Sequence, residues 1–128
     1  MRLFIADDSE ILRLRLIDML SEIEGIEIIG QAQNSLDAIE SIEELNPHVV
    51  ILDIRMPQVN GIKLLKAIKR NNHHLKVIIF TNYPYPQYRK RCMDLGADFF
   101  FDKSTEFEKL VDAVKYLAYN CSQTKISK

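Results

Sequence analysis

Five short, mostly apolar runs, each followed by a segment with helical periodicity, most constrain what this chain can fold into. The runs are residues 3–6, 26–32, 49–52, 76–80 and 97–101. They favour β-branched and aromatic residues over strict alternation, which suits strands buried on both faces. The first helical segment opens at Asp8 or Ser9, with Leu12, Leu16, Met19, Leu20 and Ile23 forming an inward stripe. Gly25 turns the chain into the second strand. The second helix opens at Asn34 or Ser35, turns Ala38, Ile39, Ile42 and Leu45 inward, and stops at Asn46-Pro47. The third follows Gly61 with Ile62, Leu65 and Ile68, and ends in the polar stretch 70–74, which contains His73-His74. Pro84 and Pro86 keep the backbone extended and delay the fourth helix to about Pro86, and Gly96 ends it. Ser104 or Thr105 opens the last, with Thr105 and Glu108 spaced as a capping box. Its stripe is Phe107, Leu110, Val111, Val114, Leu117 and Ala118.

Strand–helix alternation with short connections implies an α/β fold, with a parallel sheet covered by helices on both faces and right-handed crossovers. Five (βα) units make a doubly wound, five-stranded sheet. With 128 residues and no linker, repeat or low-complexity segment, the reading is one domain over 1–120 and a polar tail over 121–128.

Charge narrows the partners. Lys plus Arg number 17 against 18 Asp plus Glu, so no basic excess is available to bind a phosphate backbone, and no nucleic-acid partner is expected within this chain. No run approaches a membrane span, and the N-terminus lacks the regions of a signal peptide. Cys92 and Cys121 lie too far apart for a metal or redox motif and read as reduced thiols, consistent with a cytoplasmic protein. The adjacent pair His73-His74 reads as a polar loop.

Polar residues at strand ends carry the chemistry. The first strand ends in Asp7-Asp8, the third in Asp53, the fourth at Thr81 and the fifth at Asp102-Lys103. In a parallel sheet these ends share one edge, where open α/β sheets place their sites. One such acid would be an ordinary cap or turn former. Three converging carboxylates repel one another and raise their own pKa values, whereas Mg²⁺ and one ammonium bring the sum to zero. A hydroxyl and an ammonium facing a carboxylate are what a transferring phosphoryl group needs.

On these residues the chain resembles the receiver domain of two-component response regulators, from Arg2 to about Tyr119. The acidic pair matches Asp7-Asp8, the phosphoacceptor Asp53, the hydroxyl Thr81 and the lysine Lys103. Met56-Pro57, Gly61 and Gly96-Ala97 match as well. The resemblance implies the flavodoxin-like strand order 2-1-3-4-5 and a phosphorylation-dependent switch rather than an enzyme. It implies that Asp53 takes a phosphoryl group from a histidine kinase or phosphotransfer protein, and that the domain assists its own phosphorylation and autodephosphorylation. Asp8, Asp53 and the Arg55 backbone carbonyl would bind Mg²⁺, with Asp7 acting through water. Thr81 and Lys103 would hold the phosphoryl oxygens, and Phe100 would change rotamer as Thr81 moves. An output protein would read the altered surface of the fourth helix, fifth strand and fifth helix, and a phosphorylation-linked homodimer is a further partner of this kind.

Several residues stand apart from the stripe or the family pattern. Ile11 and Leu14 fall opposite the first helix's stripe, either as scattered surface residues or as a docking patch; the resemblance assigns them, with Ser104, to kinase docking. Tyr116 lies off the last stripe. Asn82 stands where a small residue is usual, Ser104 where many members have Pro, and Phe100 where many have Tyr. Arg55 and Tyr83, two positions beyond Asp53 and Thr81, match tuning sites for autodephosphorylation, and their bulk would impede an attacking water. Three rivals fit less well. A haloacid-dehalogenase-type phosphohydrolase needs a second Asp where Arg55 stands. A flavodoxin's flavin phosphate would meet Asp7-Asp8 in place of a Ser/Thr/Gly loop. An adaptor that is never phosphorylated would not need the complete acceptor set, although Asn82 is compatible with one.

Overall fold

The computed structural model describes residues 1–72 and 74–126, with 122–126 as backbone only. Ten elements alternate strictly: β1 (Arg2–Ala6), α1 (Glu10–Leu20), β2 (Glu27–Ala32), α2 (Ser35–Leu45), β3 (Val49–Leu52), α3 (Gly61–Asn71), β4 (Lys76–Thr81), α4 (Pro86–Asp94), β5 (Phe99–Asp102) and α5 (Phe107–Ile126). The strands are parallel and ordered β2-β1-β3-β4-β5.

Successive strand residues point to opposite faces, so each apolar run feeds two cores. On one face Phe4, Val50, Leu52, Val77 and Ile79 meet Ala38 and Ile42 of α2, Leu64, Leu65 and Ile68 of α3, and Cys92 of α4. On the other, Leu3, Ile5, Val49, Ile51, Ile78 and Phe80 meet Leu16 and Leu20 of α1 and Leu110, Val114 and Leu117 of α5. This two-sided burial is why the runs lack alternation. Burial also pushes the Cys92 thiol up to about 11, keeping it in the protonated form.

Local chemistry sets the helix ends. The side chains of Ser9, Asn34 and Asn60 accept from Leu12 N–H, Asp37 N–H and Lys63 N–H. Asn46 ends α2 in the left-handed region at φ 55°. Gly96 follows α4 at φ +103°, a conformation that favours glycine.

Five boundaries or orientations differ from the sequence reading. Ser21 donates both its N–H and its hydroxyl to the Ile17 carbonyl, so α1 ends at Leu20 and Ile23 lies beyond it. Leu45, expected inward, is exposed on the last turn of α2. β5 begins at Phe99 rather than 97, because the Asp98 carboxylate takes the Val77 N–H at 2.8 Å. The Thr105–Glu108 capping box does not form. The Thr105 hydroxyl instead donates back to Asp102 Oδ2 (3.1 Å), Glu106 accepts the Asp102 N–H (3.0 Å), and α5 starts at Phe107. Finally, α5 continues through residues 121–126, where a polar tail was expected. His73 of the histidine pair and residues 127–128 of that tail lie outside the described residues.

Gly61 is the tightest backbone contact. A Cβ there would lie 2.4 Å from both the Asp53 carbonyl oxygen and Ile54 Cα. Both neighbours are backbone at the end of β3, so neither can yield cheaply. Gly61→Ala is therefore expected to cost about 2 kcal/mol, read as a lower urea midpoint at unchanged slope.

Candidate functional site

Register brings the polar strand ends together. Ala6 pairs with Leu52, so Asp7 and Asp53 leave adjacent strands at the same level. Thr81 pairs with Asp102, which puts Lys103 one residue past the sheet edge, its N–H bonded to the Thr81 carbonyl at 2.9 Å. Lys103 Nζ then reaches Asp7 Oδ2 at 2.6 Å and Asp53 Oδ2 at 2.9 Å. Asp7, Asp53 and Thr81 are buried, while Asp8 is exposed at the mouth. Ligand oxygens of Asp7, Asp8 and Asp53 lie within 4.8 Å of one another, as a hard divalent cation requires of its carboxylates.

Each side chain is held by its own turn. Asp7 Oδ1 accepts the Ser9 N–H (2.9 Å), and Asp53 Oδ1 accepts the Arg55 N–H (3.1 Å). Thr81 Oγ1 accepts the Tyr83 N–H (3.1 Å), leaving its own O–H to donate elsewhere. Burial pushes the Asp7 carboxyl upward, only partly offset by Lys103 and the Ser9 N–H. Burial also opposes the Lys103 ammonium, but Asp53 and Asp7 outweigh it and hold the lysine above its ordinary value. The two upward directions are compatible: one ammonium gains from two carboxylates, while Asp7 carries the desolvation cost of a crowded, negatively charged pocket.

The remaining predicted residues divide. Arg55 and Tyr83 come together across the mouth, with the guanidinium carbon 4.3 Å from the ring centroid. Ser104 meets Asn82 at 3.5 Å at the rim. Phe100 is 3% exposed within the α2–α3–α4 core, with Arg89 4.9 Å above its ring. Ile11 and Leu14 lie in solvent, 83% and 54% exposed. Tyr116 is exposed on α5.

Two contributors carried no signal in the sequence. Arg13 is buried beneath the Asp7 turn. Ser35, fully buried at the start of α2, donates its hydroxyl to the Pro57 and Val59 carbonyls and so pins the loop after Asp53. Neither role is legible from spacing, because the partners lie on other segments: the Asp7 carbonyl and the Gln31 side chain for Arg13, and two carbonyls after β3 for Ser35.

A family model described as the response regulator receiver domain matches residues 3–115. The chain belongs to that family. Among relatives of this receiver domain is an uncharacterized transcriptional regulatory protein of Bacillus subtilis, YvfU, 36% identical over 89% of this chain and 57% of the relative. A solved LuxR-family DNA-binding response regulator of Staphylococcus aureus is 34% identical, with TM-score 0.84, over 91% of this chain and 98% of that one. The CheX–CheY–BeF₃–Mg²⁺ complex of Borrelia burgdorferi gives 28% identity and TM-score 0.83, over 91% and 87%. The receiver chain spans about half the length of the curated relatives it matches. Its class is one of phosphorylation-dependent signalling modules, and its Asp cluster matches the acidic pocket with which the family binds Mg²⁺. Among the described residues no helix is long and apolar enough to cross a membrane.

The electrostatics give a testable sign. Asp7 is raised from 3.8, so its penalty is absent at lower pH and is incurred as pH rises through the folded value. Without divalent metal, Asp7→Asn is expected to melt at a higher temperature than wild type at about pH 7. The difference should close in acid below 3.8, where the wild-type carboxyl is neutral in both the folded and unfolded states. Thermal melts across pH check it.

Proposed function

We propose that this chain is the phosphoacceptor of a two-component pathway, with Asp53 taking a phosphoryl group from a phosphohistidine on a histidine kinase or phosphotransfer protein. The observation that carries the reading is the contact of one ammonium, Lys103 Nζ, with Asp7 and Asp53 at a sheet edge that also holds Asp8 and Thr81. The Borrelia neighbour, solved with BeF₃ and Mg²⁺, supports it by similarity.

An Asp53 carboxylate oxygen forms the new P–O bond as the donor's P–N bond breaks, and the electron pair returns to the imidazole nitrogen. Lys103 then moves from neutralising Asp53 to neutralising the phosphoryl oxygens, and the Thr81 hydroxyl donates to them. Asp8, Asp53 and the Arg55 carbonyl would hold Mg²⁺, with Asp7 through water, and the ion would supply neutralising charge for the acceptor and the incoming group. The added charge biases Thr81, Phe100 and the α4–β5–α5 surface toward a second state that an output protein reads, or that favours a homodimer. The chain acts on no separate substrate; it assists the making and breaking of its own acyl phosphate. Docking of the phosphodonor falls to Ile11, Leu14 and Ser104, all exposed near the mouth's helices, and the setting is the cytoplasm.

Acetyl phosphate with Mg²⁺ is expected to give a phosphoryl adduct by intact mass on wild type and none on Asp53→Asn. An adduct on both or neither would overturn the reading. The stacked Arg55–Tyr83 pair covers the approach to Asp53 and slows hydrolysis. Replacing both with Ala should speed dephosphorylation about fivefold, the rate equivalent of roughly 1 kcal/mol for a cation–π contact. A chase by phosphate-affinity electrophoresis times it.

A further inference from the structure

Arg13 is the buried charged group that the mechanism above leaves unused. It lies on α1 with 7% exposure, and among the described residues it forms no ion pair. Its two hydrogen bonds go to neutral acceptors. Nη1 donates to the Asp7 carbonyl at 2.5 Å, and Nε donates to Gln31 Oε1 on β2 at 2.8 Å. Burying a guanidinium without a carboxylate partner is costly, and an apolar residue would suit the core-facing side of α1 better.

The position of the first bond explains what the arrangement accomplishes. The Asp7 carbonyl belongs to the planar peptide that joins Asp7 to Asp8, so fixing that oxygen fixes the last backbone angle of Asp7 and the first of Asp8. Every other polar group of Asp7 is already held: its N–H by the Ala32 carbonyl (3.0 Å), Oδ1 by the Ser9 N–H and Oδ2 by Lys103. Asp8, by contrast, is exposed at the mouth and depends on that peptide for its direction. We infer that Arg13 is a positioning residue for the cation site, setting the Asp7–Asp8 peptide so that the Asp8 carboxylate joins those of Asp7 and Asp53. Gln31 supports it by fixing the plane of the guanidinium. The inference rests on the Mg²⁺ reading of the acidic pocket.

The sign of the effect separates positioning from bulk electrostatics. A cation behind the pocket would weaken Mg²⁺ binding through its field, so a role through charge alone predicts tighter binding once Arg13 is removed. Positioning predicts the reverse. The test is a Mg²⁺ titration of the unphosphorylated full chain followed by amide nitrogen–proton shifts, with thermal melts in the absence of metal. Arg13→Met is expected to raise the Mg²⁺ dissociation constant about tenfold, the usual scale for groups that orient metal ligands. Arg13→Lys, which keeps one donor, should fall between it and wild type. Gln31→Ala should raise the constant about threefold, and it decides the matter if Arg13→Met does not fold. An unchanged or lower constant in a folded Arg13→Met, or in Gln31→Ala when that variant decides, overturns the inference, whatever happens to the melting temperature. A wild type with no Mg²⁺-dependent shifts overturns both this inference and the Mg²⁺ reading beneath it.

Discussion

The interaction on which the rest of the site depends is one lysine shared by two buried carboxylates. Lys103 Nζ lies 2.6 Å from Asp7 and 2.9 Å from Asp53, and nearly all of the three side chains is out of water. Removing either acid from solvent alone would be expensive, and bringing two together adds repulsion. The ammonium offsets much of this but not all, since Asp7 remains shifted toward its neutral form while Asp8 adds a third carboxylate at the mouth. The pocket thus keeps a residual demand for positive charge. That residue of uncompensated charge, held in place by packing elsewhere, is what a divalent cation would meet.

The scaffold supplies the rigidity that such an arrangement needs. Asp7, Asp53 and Lys103 each stand one residue beyond a strand, and parallel register aligns those ends. Two cores clamp the sheet, one under α1 and α5 and the other under α2, α3 and α4. The loop after Asp53 is fixed from two sides, by Ser35 below it and by the close approach of Gly61. Desolvation of Asp7 and Lys103 thus falls where the surrounding backbone is held by packing and hydrogen bonds.

Much of this was readable along the chain because its causes are local. Two-sided burial produces runs without alternation, and caps such as Ser9 and Asn34 act within three residues. The boundaries that depart from sequence spacing share the opposite property. Asp98 delays β5 by bonding Val77 in another strand, and Glu106 displaces the expected capping box by reaching back to Asp102. At both positions a carboxylate competes for a backbone N–H, an outcome that propensity and spacing do not encode.

By itself, the sequence determined the five (βα) units, the family and the polar residues at four strand ends, since each follows from apolar periodicity or from residue identity at a strand terminus. The tertiary structure alone decided that Lys103 bonds both acids rather than one, that Phe100 already lies inside, that Arg55 stacks on Tyr83, and that Arg13 is buried under the Asp7 turn. These are contacts between segments distant along the chain. Their geometry depends on register and packing, which become defined only when the sheet assembles.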